Sequence, residues 1–251
     1  MRRALALVLM AGPAQACEVD PFAQSAYPRS LAVDVATAGQ VSRAWFDGPS
    51  TIYDHFVLGR ETEPTELHIQ LTPGGTLCGT IISAGSDHVF EDMAPRLADV
   101  DGDGTNEVIV VRSNLREGAQ LAVYGVRGKG FDLIAATPFI GQPNRWLAPA
   151  GIADFDGDGR VEIAYVDRPH LLGDLVFVRL EEDRLVETLR LPGLTNHRIG
   201  EDFISGGVRD CGAGAELVLA SRDWTHVMQV RGGVVTALGP MPGSGLTIPT
   251  C

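Results

Sequence analysis

Two acidic segments of the chain have the residue types and the spacing that could hold a metal ion. Each contains three aspartates at alternate positions and a glutamate four residues after the last of them. The two sets are Asp99, Asp101, Asp103 and Glu107, and, 55 residues later, Asp154, Asp156, Asp158 and Glu162. Alternate side chains of a tight loop converge, so each segment gathers three like charges that repel one another at short range. A hard dication would compensate them, and each segment is therefore predicted to be a cation site.

Calcium is the ion that fits this donor set best. Ca²⁺ takes about six to eight oxygen ligands, so the backbone carbonyls of Thr105 and Arg160, together with water, are expected to complete the two shells. Magnesium is less suited because it prefers few protein ligands and a rigid octahedral geometry. Gly104 and Gly159 lie where the chain has to turn sharply. The sequence therefore predicts two structural calcium sites.

An EF-hand begins with a similar acidic loop, but the residues that follow exclude one here. The EF-hand loop has a glutamate at its twelfth position and is flanked by helices. The twelfth position is Val110 in the first segment and Tyr165 in the second, and both lie in short β-rich runs. The acidic residues are therefore predicted to lie on a loop that leads into a strand.

The acidic segment belongs to an internal repeat. A third copy at residues 208–216 keeps Asp210 and Glu216, but Val208 and Gly212 stand where the other copies have acidic ligands, so no metal is expected there. One repeat length before the first segment, Trp45–Gly48 forms an apolar stretch and a predicted turn with no acidic triad. A second feature shares the period, because turn residues begin at intervals of 54, 54 and 50 residues: Gly74-Gly75, Gly128-Lys129-Gly130, Glu182-Asp183 and Gly232-Gly233. Two independent features with one period indicate four repeats.

The segments on either side of the acidic loops have the sequence pattern of β-strands. Short β-rich runs bounded by Gly, Asp and Pro predict these strands: Glu107–Val111, Leu121–Tyr124, Phe131–Ile134, Glu162–Val166, Leu175–Val178, Val186–Leu189, Leu217–Ala220, His226–Val230 and Val234–Leu238. With the segment leading into each acidic loop, a repeat has about four antiparallel strands, as a propeller blade has. The sequence predicts an all-β propeller of four blades over residues 17–251, with repeats at about 38–88, 89–142, 143–196 and 197–247. Five blades are the alternative, and Leu31–Ala36 is expected to complete the outer edge of the last blade.

The two intact acidic loops resemble the FG-GAP and VCBS repeats of integrin-type propellers. The resemblance covers about residues 38–247, with two specific and two degenerate copies. The family usually has Asp at the ninth loop position, whereas this chain has Glu107 and Glu162 there. The resemblance implies a propeller with structural calcium between the strands of a blade, and it implies no chemistry.

The N-terminal residues predict export. Arg2-Arg3, an apolar run from Ala4 to Ala11 and a small-residue cleavage site before Cys17 are typical of a signal peptide at residues 1–16. We therefore expect a periplasmic or extracellular protein, with lipidation of Cys17 as a minor alternative. Four cysteines in an exported chain suggest two disulfides with three possible pairings. Of these, Cys17–Cys251 with Cys78–Cys211 is expected, because the ends of a closed ring lie close together.

The charge of the chain narrows the classes of partner. The formal net charge is −12, so the chain lacks the basic footprint of a nucleic-acid-binding protein. The apolar run near the N-terminus is too short to span a bilayer, which takes about 20 residues, and no transmembrane segment is expected. The protein is expected to be a monomer, and its partner is expected to be a protein or a glycan.

Several polar groups could surround a site at the mouth of the ring, although capping of the turns into the blades is the preferred interpretation. They are Asp87-His88, Asn144-Arg145, His197-Arg198, Tyr53-Asp54-His55 and Asp167-Arg168-Pro169-His170, with Trp146 beside one of them.

The sequence leaves two candidate functions open. The first is an exported interaction module in which calcium rigidifies the blades. The second is a calcium-dependent hydrolase or lyase for an extracellular polymer, which would use His197 and Arg145.

Overall fold

A computed structural model describes residues 24–34, 36, 40–72, 79–128, 130–243, 245–246 and 248–251. Within these ranges the chain forms eighteen β-strands and no α-helix, which confirms the all-β prediction. The predicted signal peptide, Cys17, Cys78 and the Gly74-Gly75 turn lie outside the described residues. Among the described residues, no helix is long and apolar enough to cross a membrane.

The strands form four antiparallel sheets that follow one another along the chain. The first contains β1 (Ala32–Val33), β2 (Val41–Ser50), β3 (Glu63–Leu71) and β4 (Gly79–Ser83). The second contains β5 (His88–Val89), β6 (Arg96–Ala98), β7 (Glu107–Asn114), β8 (Gly118–Arg127) and β9 (Gly130–Ala136). The third contains β10 (Leu147–Ala153), β11 (Glu162–Asp167), β12 (Asp174–Glu181) and β13 (Arg184–Pro192). The fourth contains β14 (Leu194–Thr195), β15 (Gly207–Asp210), β16 (Ala215–Ser221), β17 (His226–Arg231) and β18 (Val234–Pro240).

Neighbouring strands of each sheet are consecutive in the chain, with one variation. The first and third sheets have the orders β1-β2-β3-β4 and β10-β11-β12-β13. In the second and fourth sheets two short strands share one partner, since β5 and β6 both pair with β7, and β14 and β15 both pair with β16. All nine predicted strands lie within β7–β9, β11–β13 and β16–β18.

The strands that follow the acidic loops are buried on both faces, which is why they read as continuous apolar runs. In β7, Val108 and Val110 pack into a cluster with the first sheet, whereas Ile109 and Val111 pack into a cluster with the third. A further cluster joins the third and fourth sheets through residues such as Phe177. Full burial of a Val or Ile side chain contributes about 1.5–3 kcal/mol, so these clusters fix the order of the sheets.

The turns between the outer strands are those that the sequence marks. Gly128 follows the end of β8 and β9 begins at Gly130, Glu182-Asp183 connects β12 to β13, and Gly232-Gly233 connects β17 to β18. Glu182 has a φ of 57° and Gly232 a φ of 53°, values that two-residue hairpin turns require.

Two sequence predictions about the first repeat are wrong. Leu31–Ala36 does not complete the last sheet. Its strand β1 pairs with β2 of the first sheet, placing Ala32 opposite Ala44, and the outer edge of the fourth sheet is β18. Trp45–Gly48 is not a turn, because it lies inside β2, a strand of ten residues.

Connecting segments of the first and fourth sheets also contact one another. The loop after β2 meets the segment between β14 and β15, where the Gly200 amide donates a 3.0 Å hydrogen bond to the Val57 carbonyl. Arg29, which precedes β1, and Asp202, which follows Gly200 by two residues, form a 2.6 Å ion pair. These contacts join residues about 140–170 positions apart in the sequence.

Candidate metal centres

The first acidic loop connects β6 to β7 and is held by its own aspartates. The two carboxylate oxygens of Asp99 accept hydrogen bonds from the amides of Gly102, at 2.7 Å, and Gly104, at 2.9 Å. Asp101 Oδ1 accepts the Asp103 amide at 3.0 Å. Gly104 has a φ of 85°, so the sharp turn expected there is present. These bonds direct carboxylates toward the start of β7.

Glu107, the first residue of β7, is buried beneath this loop. Glu107 is only 4% exposed, and its Oε2 accepts a hydrogen bond from the Val100 amide at 2.9 Å. The other oxygen, Oε1, has no hydrogen-bond partner among the described residues. Burial, reinforced by the charges of the nearby aspartates, raises the pKa of Glu107 to about 7. Glu107 is thus a largely buried carboxylate with no cationic partner among the described residues.

Three of the predicted ligands of the first loop come together. Asp99, Asp101 and Glu107 each offer an oxygen, and these atoms lie within 4.8 Å of one another. Asp103 is not part of that group. Its Oδ1 accepts the Thr105 amide at 2.7 Å and also the Thr105 hydroxyl. The donor set, all oxygen and partly buried, fits a hard cation.

The second acidic loop has the same backbone arrangement between β10 and β11. Asp154 accepts the amides of Gly157 and Gly159 at 2.7 and 2.9 Å. Asp156 accepts a hydrogen bond from the Asp158 amide at 3.0 Å. Glu162 Oε2 accepts one from the Phe155 amide at 2.9 Å, as Glu107 does from the Val100 amide in the first loop. Oxygens of Asp154, Asp156 and Glu162 again lie within 4.8 Å of one another. The Arg160 amide donates to Asp158, at 2.9 Å, as the Thr105 amide does to Asp103 in the first loop.

A guanidinium group enters the second loop from the neighbouring strand. Arg179 lies on β12 directly opposite Glu162 on β11. It donates to Asp158 at 2.9 Å, to Asp156 at 3.0 Å and to Glu162. Sequence reasoning missed this residue, although Arg179 is a charged residue in an otherwise apolar run and that could have drawn attention to it.

The third copy of the loop is held by an arginine and a disulfide. Glu216, which is 1% exposed, accepts a 2.6 Å hydrogen bond from Arg209 and another from Gln229. Burial alone would raise the pKa of Glu216, but these bonds lower it below its usual value. Cys211, in the loop itself, forms a disulfide with Cys251.

This disulfide shows that the pairing expected from the sequence is wrong. Cys251 does not bond to Cys17, and Cys211 does not bond to Cys78. The reason is the path of the C-terminal residues, which return to the third loop, where the Pro249 carbonyl accepts a 2.7 Å hydrogen bond from Arg209.

A comparison with known protein families finds a match for the segment that carries the two intact acidic loops. Residues 79–165 match the family model of the FG-GAP-like repeat. The chain contains FG-GAP-like repeat sequence. The matched segment includes both intact acidic loops, the strands β6, β7 and β10, and the first four residues of β11, and the all-β structure is consistent with an FG-GAP repeat protein. A comparison with curated proteins finds no match.

Several of the predicted polar groups come together around a cavity of about 280 Å³, part of whose lining belongs to the FG-GAP-like segment. Its lining residues are His55, Asn144, Arg145, Trp146, Arg168, His170, Leu171 and Ile199. Asp87-His88 is not among them, because His88 pairs with Asp87 at 2.7 Å and bonds to Asn114 at 3.1 Å.

A chain of hydrogen bonds fixes the imidazoles at this cavity. His197 Nε2 donates to the Glu201 carbonyl at 3.0 Å, so in the neutral ring its Nδ1 accepts from His170 Nε2 at 2.9 Å. Burial lowers the pKa of both rings, that of His170 to about 4. On the other side of the cavity, His55 Nδ1 lies 2.5 Å from the buried Glu91, whose backbone carbonyl accepts the Trp146 indole at 2.7 Å. His170 and His197 are therefore neutral at neutral pH.

Proposed function

We propose that this chain is an exported, calcium-stabilised binding module built as a four-bladed β-propeller. The observation that carries the proposal is the first acidic loop, where Asp99 and Asp101 converge on a buried Glu107 that has one oxygen without a donor. Asp103 and the Thr105 carbonyl are the further ligands proposed for that ion. Calcium fits because it accepts many oxygen ligands in a flexible arrangement.

The role proposed for calcium is structural. The loop lies between β6 and β7, and β7 supplies side chains to the clusters on both of its faces. A cation that joins the loop to Glu107 would hold the start of this strand in the folded state only. Calcium would then stabilise the fold by mass action without taking part in a reaction.

The ring and its export are parts of the same proposal. A four-bladed ring is supported by the four successive sheets, the hydrophobic clusters between them and the Gly200–Val57 contact.

The Cys211–Cys251 disulfide supports an oxidising compartment, periplasmic or extracellular. The cavity lined by Arg145 and Trp146 is the surface proposed to meet a protein or glycan partner, and the module is proposed to be a monomer.

A calcium-dependent hydrolase or lyase is the second candidate, since Arg145 lines the cavity and His197 bonds to His170 there. His197 has both ring nitrogens engaged, one to His170 and one to Glu201, which leaves it poorly placed to move a proton. Turnover of a polysaccharide or phosphodiester that is lost in both Arg145→Ala and His197→Ala, with their melting temperatures unchanged, would favour the enzyme.

Calorimetric titration of calcium into the chelator-treated protein tests the proposed function. Binding accompanied by a higher melting temperature is expected, and both should disappear in Asp101→Asn. Absence of binding up to millimolar calcium would contradict the proposal.

A further inference from the structure

We infer that Arg179 serves as the cation of the second acidic loop, so that the chain binds calcium at the first loop and not at the second. The inference concerns how the two loops differ, and it rests on the proposed function for the first loop.

The two loops do not differ in their backbone. The bonds from Asp99 to the Gly102 and Gly104 amides have the same lengths as those from Asp154 to Gly157 and Gly159. In each loop the buried glutamate also accepts an amide of the loop at 2.9 Å. The loop backbone therefore provides no reason for the two sites to bind calcium differently.

The difference lies on the neighbouring strand. The side chain of Arg179 is 9% exposed, and its two terminal nitrogens contact Asp156, Asp158 and Glu162. Its Nε is buried without a hydrogen-bond partner, so this guanidinium is held by the loop carboxylates through its terminal nitrogens. Two of the contacted residues, Asp156 and Glu162, belong to the group of three that would bind a metal.

The first loop has glycine at the corresponding place. Val108 pairs with Tyr124, so Gly125 is the next residue of β8 beside Glu107. A Cβ atom on Gly125 would lie 3.4 Å from both Cγ and Oε1 of Glu107. No side chain therefore reaches the free oxygen of Glu107 from this position, whereas Arg179 occupies the equivalent space in the second loop.

The third copy of the loop follows the second. Glu216 is bonded by Arg209 at 2.6 Å, with Arg231 3.6 Å away at the position that corresponds to Arg179. Two of the three buried glutamates thus have a guanidinium partner, and Glu107 has none in the part of the chain that the structure describes.

Calcium at the second loop would have to displace Arg179 and leave it buried without its partners. Loss of a buried, hydrogen-bonded charge partner is strongly unfavourable, so calcium should bind the second loop roughly a hundredfold more weakly than the first. Arg179→Gln, which removes the charge and keeps most of the side-chain volume, should restore the second site.

The experiment titrates calcium into the chelator-treated full chain and counts sites in four proteins. The wild type should bind one ion, Asp101→Asn none, Arg179→Gln two, and the double variant one. A site in Asp101→Asn with an affinity close to that of the wild type would overturn the inference and leave the proposed function of the fold standing.

A measurement in chelator separates this inference from the proposed function. Without calcium, Arg179→Gln should melt several degrees lower than the wild type, because three carboxylates lose their counter-charge. Arg231→Gln is the matched control and should melt close to the wild type, because Glu216 keeps Arg209. If the wild type binds no calcium, the proposed function fails, and the melting temperature of Arg179→Gln then decides the inference. An unchanged value would overturn it.

Discussion

Glu162 and Arg179 lie opposite one another on β11 and β12 and form a buried ion pair, whereas Glu107, the equivalent of Glu162, has only Gly125 beside it on the next strand. The same buried carboxylate is thus neutralised from within the protein in one repeat and left with a free oxygen in the other. This relationship makes the two acidic loops different in their need for a metal ion.

Substitution of the two glutamates should affect the calcium-free protein in opposite directions. Glu107→Gln removes a buried charge that has no cation and should raise the free energy of unfolding in chelator by about 1 kcal/mol. Glu162→Gln leaves Arg179 without its buried partner and should lower it by about 3 kcal/mol. Denaturant unfolding of both variants in chelator measures the difference. Equal losses in the two variants would show that the loops are equivalent.

The Cys211–Cys251 disulfide should stabilise the fold by closing a long loop. The bonded residues are 40 positions apart, and loop-closure entropy assigns roughly 4 kcal/mol to a crosslink of that length. Cys251→Ser should therefore lower the free energy of unfolding by up to that amount, and Cys211→Ser should lower it equally. The double variant should lose no more than either single one. A peptide map of the unreduced protein that links Cys251 to Cys17 would contradict the pairing.

His170 should make the fold sensitive to acid. Burial, together with the neighbouring His197 and His55, lowers its pKa from 6.5 to about 4. Between those values the unfolded chain binds a proton that the folded protein excludes, so stability is present above about pH 6.5 and declines as the pH falls toward 4. The full effect is at most about 3 kcal/mol.

The matched variant for this prediction is His170→Gln, which can still donate to His197. The difference in unfolding free energy between wild type and variant should shrink as the pH falls from 7 to 4. A difference that does not change with pH would exclude His170 as the acid-sensitive group.

Trp146 should stabilise the cavity through one polar bond in addition to its packing. Its indole donates to the Glu91 carbonyl at 2.7 Å in a buried setting. Trp146→Phe keeps an aromatic ring but leaves that carbonyl without its donor, which costs about 1–3 kcal/mol. Trp224→Phe is the control, since Trp224 is only half-buried and contacts Arg198 through its ring face. A smaller loss in Trp146→Phe than in the control would contradict this role.

The sequence predicts the features that depend on local patterns. The acidic loops, the β7 and β11 strands after them and the hairpin turns at Glu182 and Gly232 are all marked by residue type and period. Their conformations follow from nearby residues, because glycines allow the turns and β-branched runs favour strands.

The features that the sequence does not predict depend on contacts between distant residues. Arg179 reaches the second loop only because the connection at residues 168–173 sets the register of β11 against β12. The Cys211–Cys251 bond depends on the path of the last residues, a stretch with no repeat or hydrophobic period. The strand at Ala32–Val33 is too short for its pairing with β2 to be read from a pattern.

The most direct test of the account is a calcium titration of the chelator-treated protein that compares Asp101→Asn with Asp156→Asn, with melting temperatures measured in parallel. The two substitutions are chemically identical and lie at equivalent positions of the two loops. Asp101→Asn should abolish calcium binding and the rise in melting temperature that accompanies it, while Asp156→Asn should leave both in place. Binding that survives Asp101→Asn, or that is lost only in Asp156→Asn, would contradict the account.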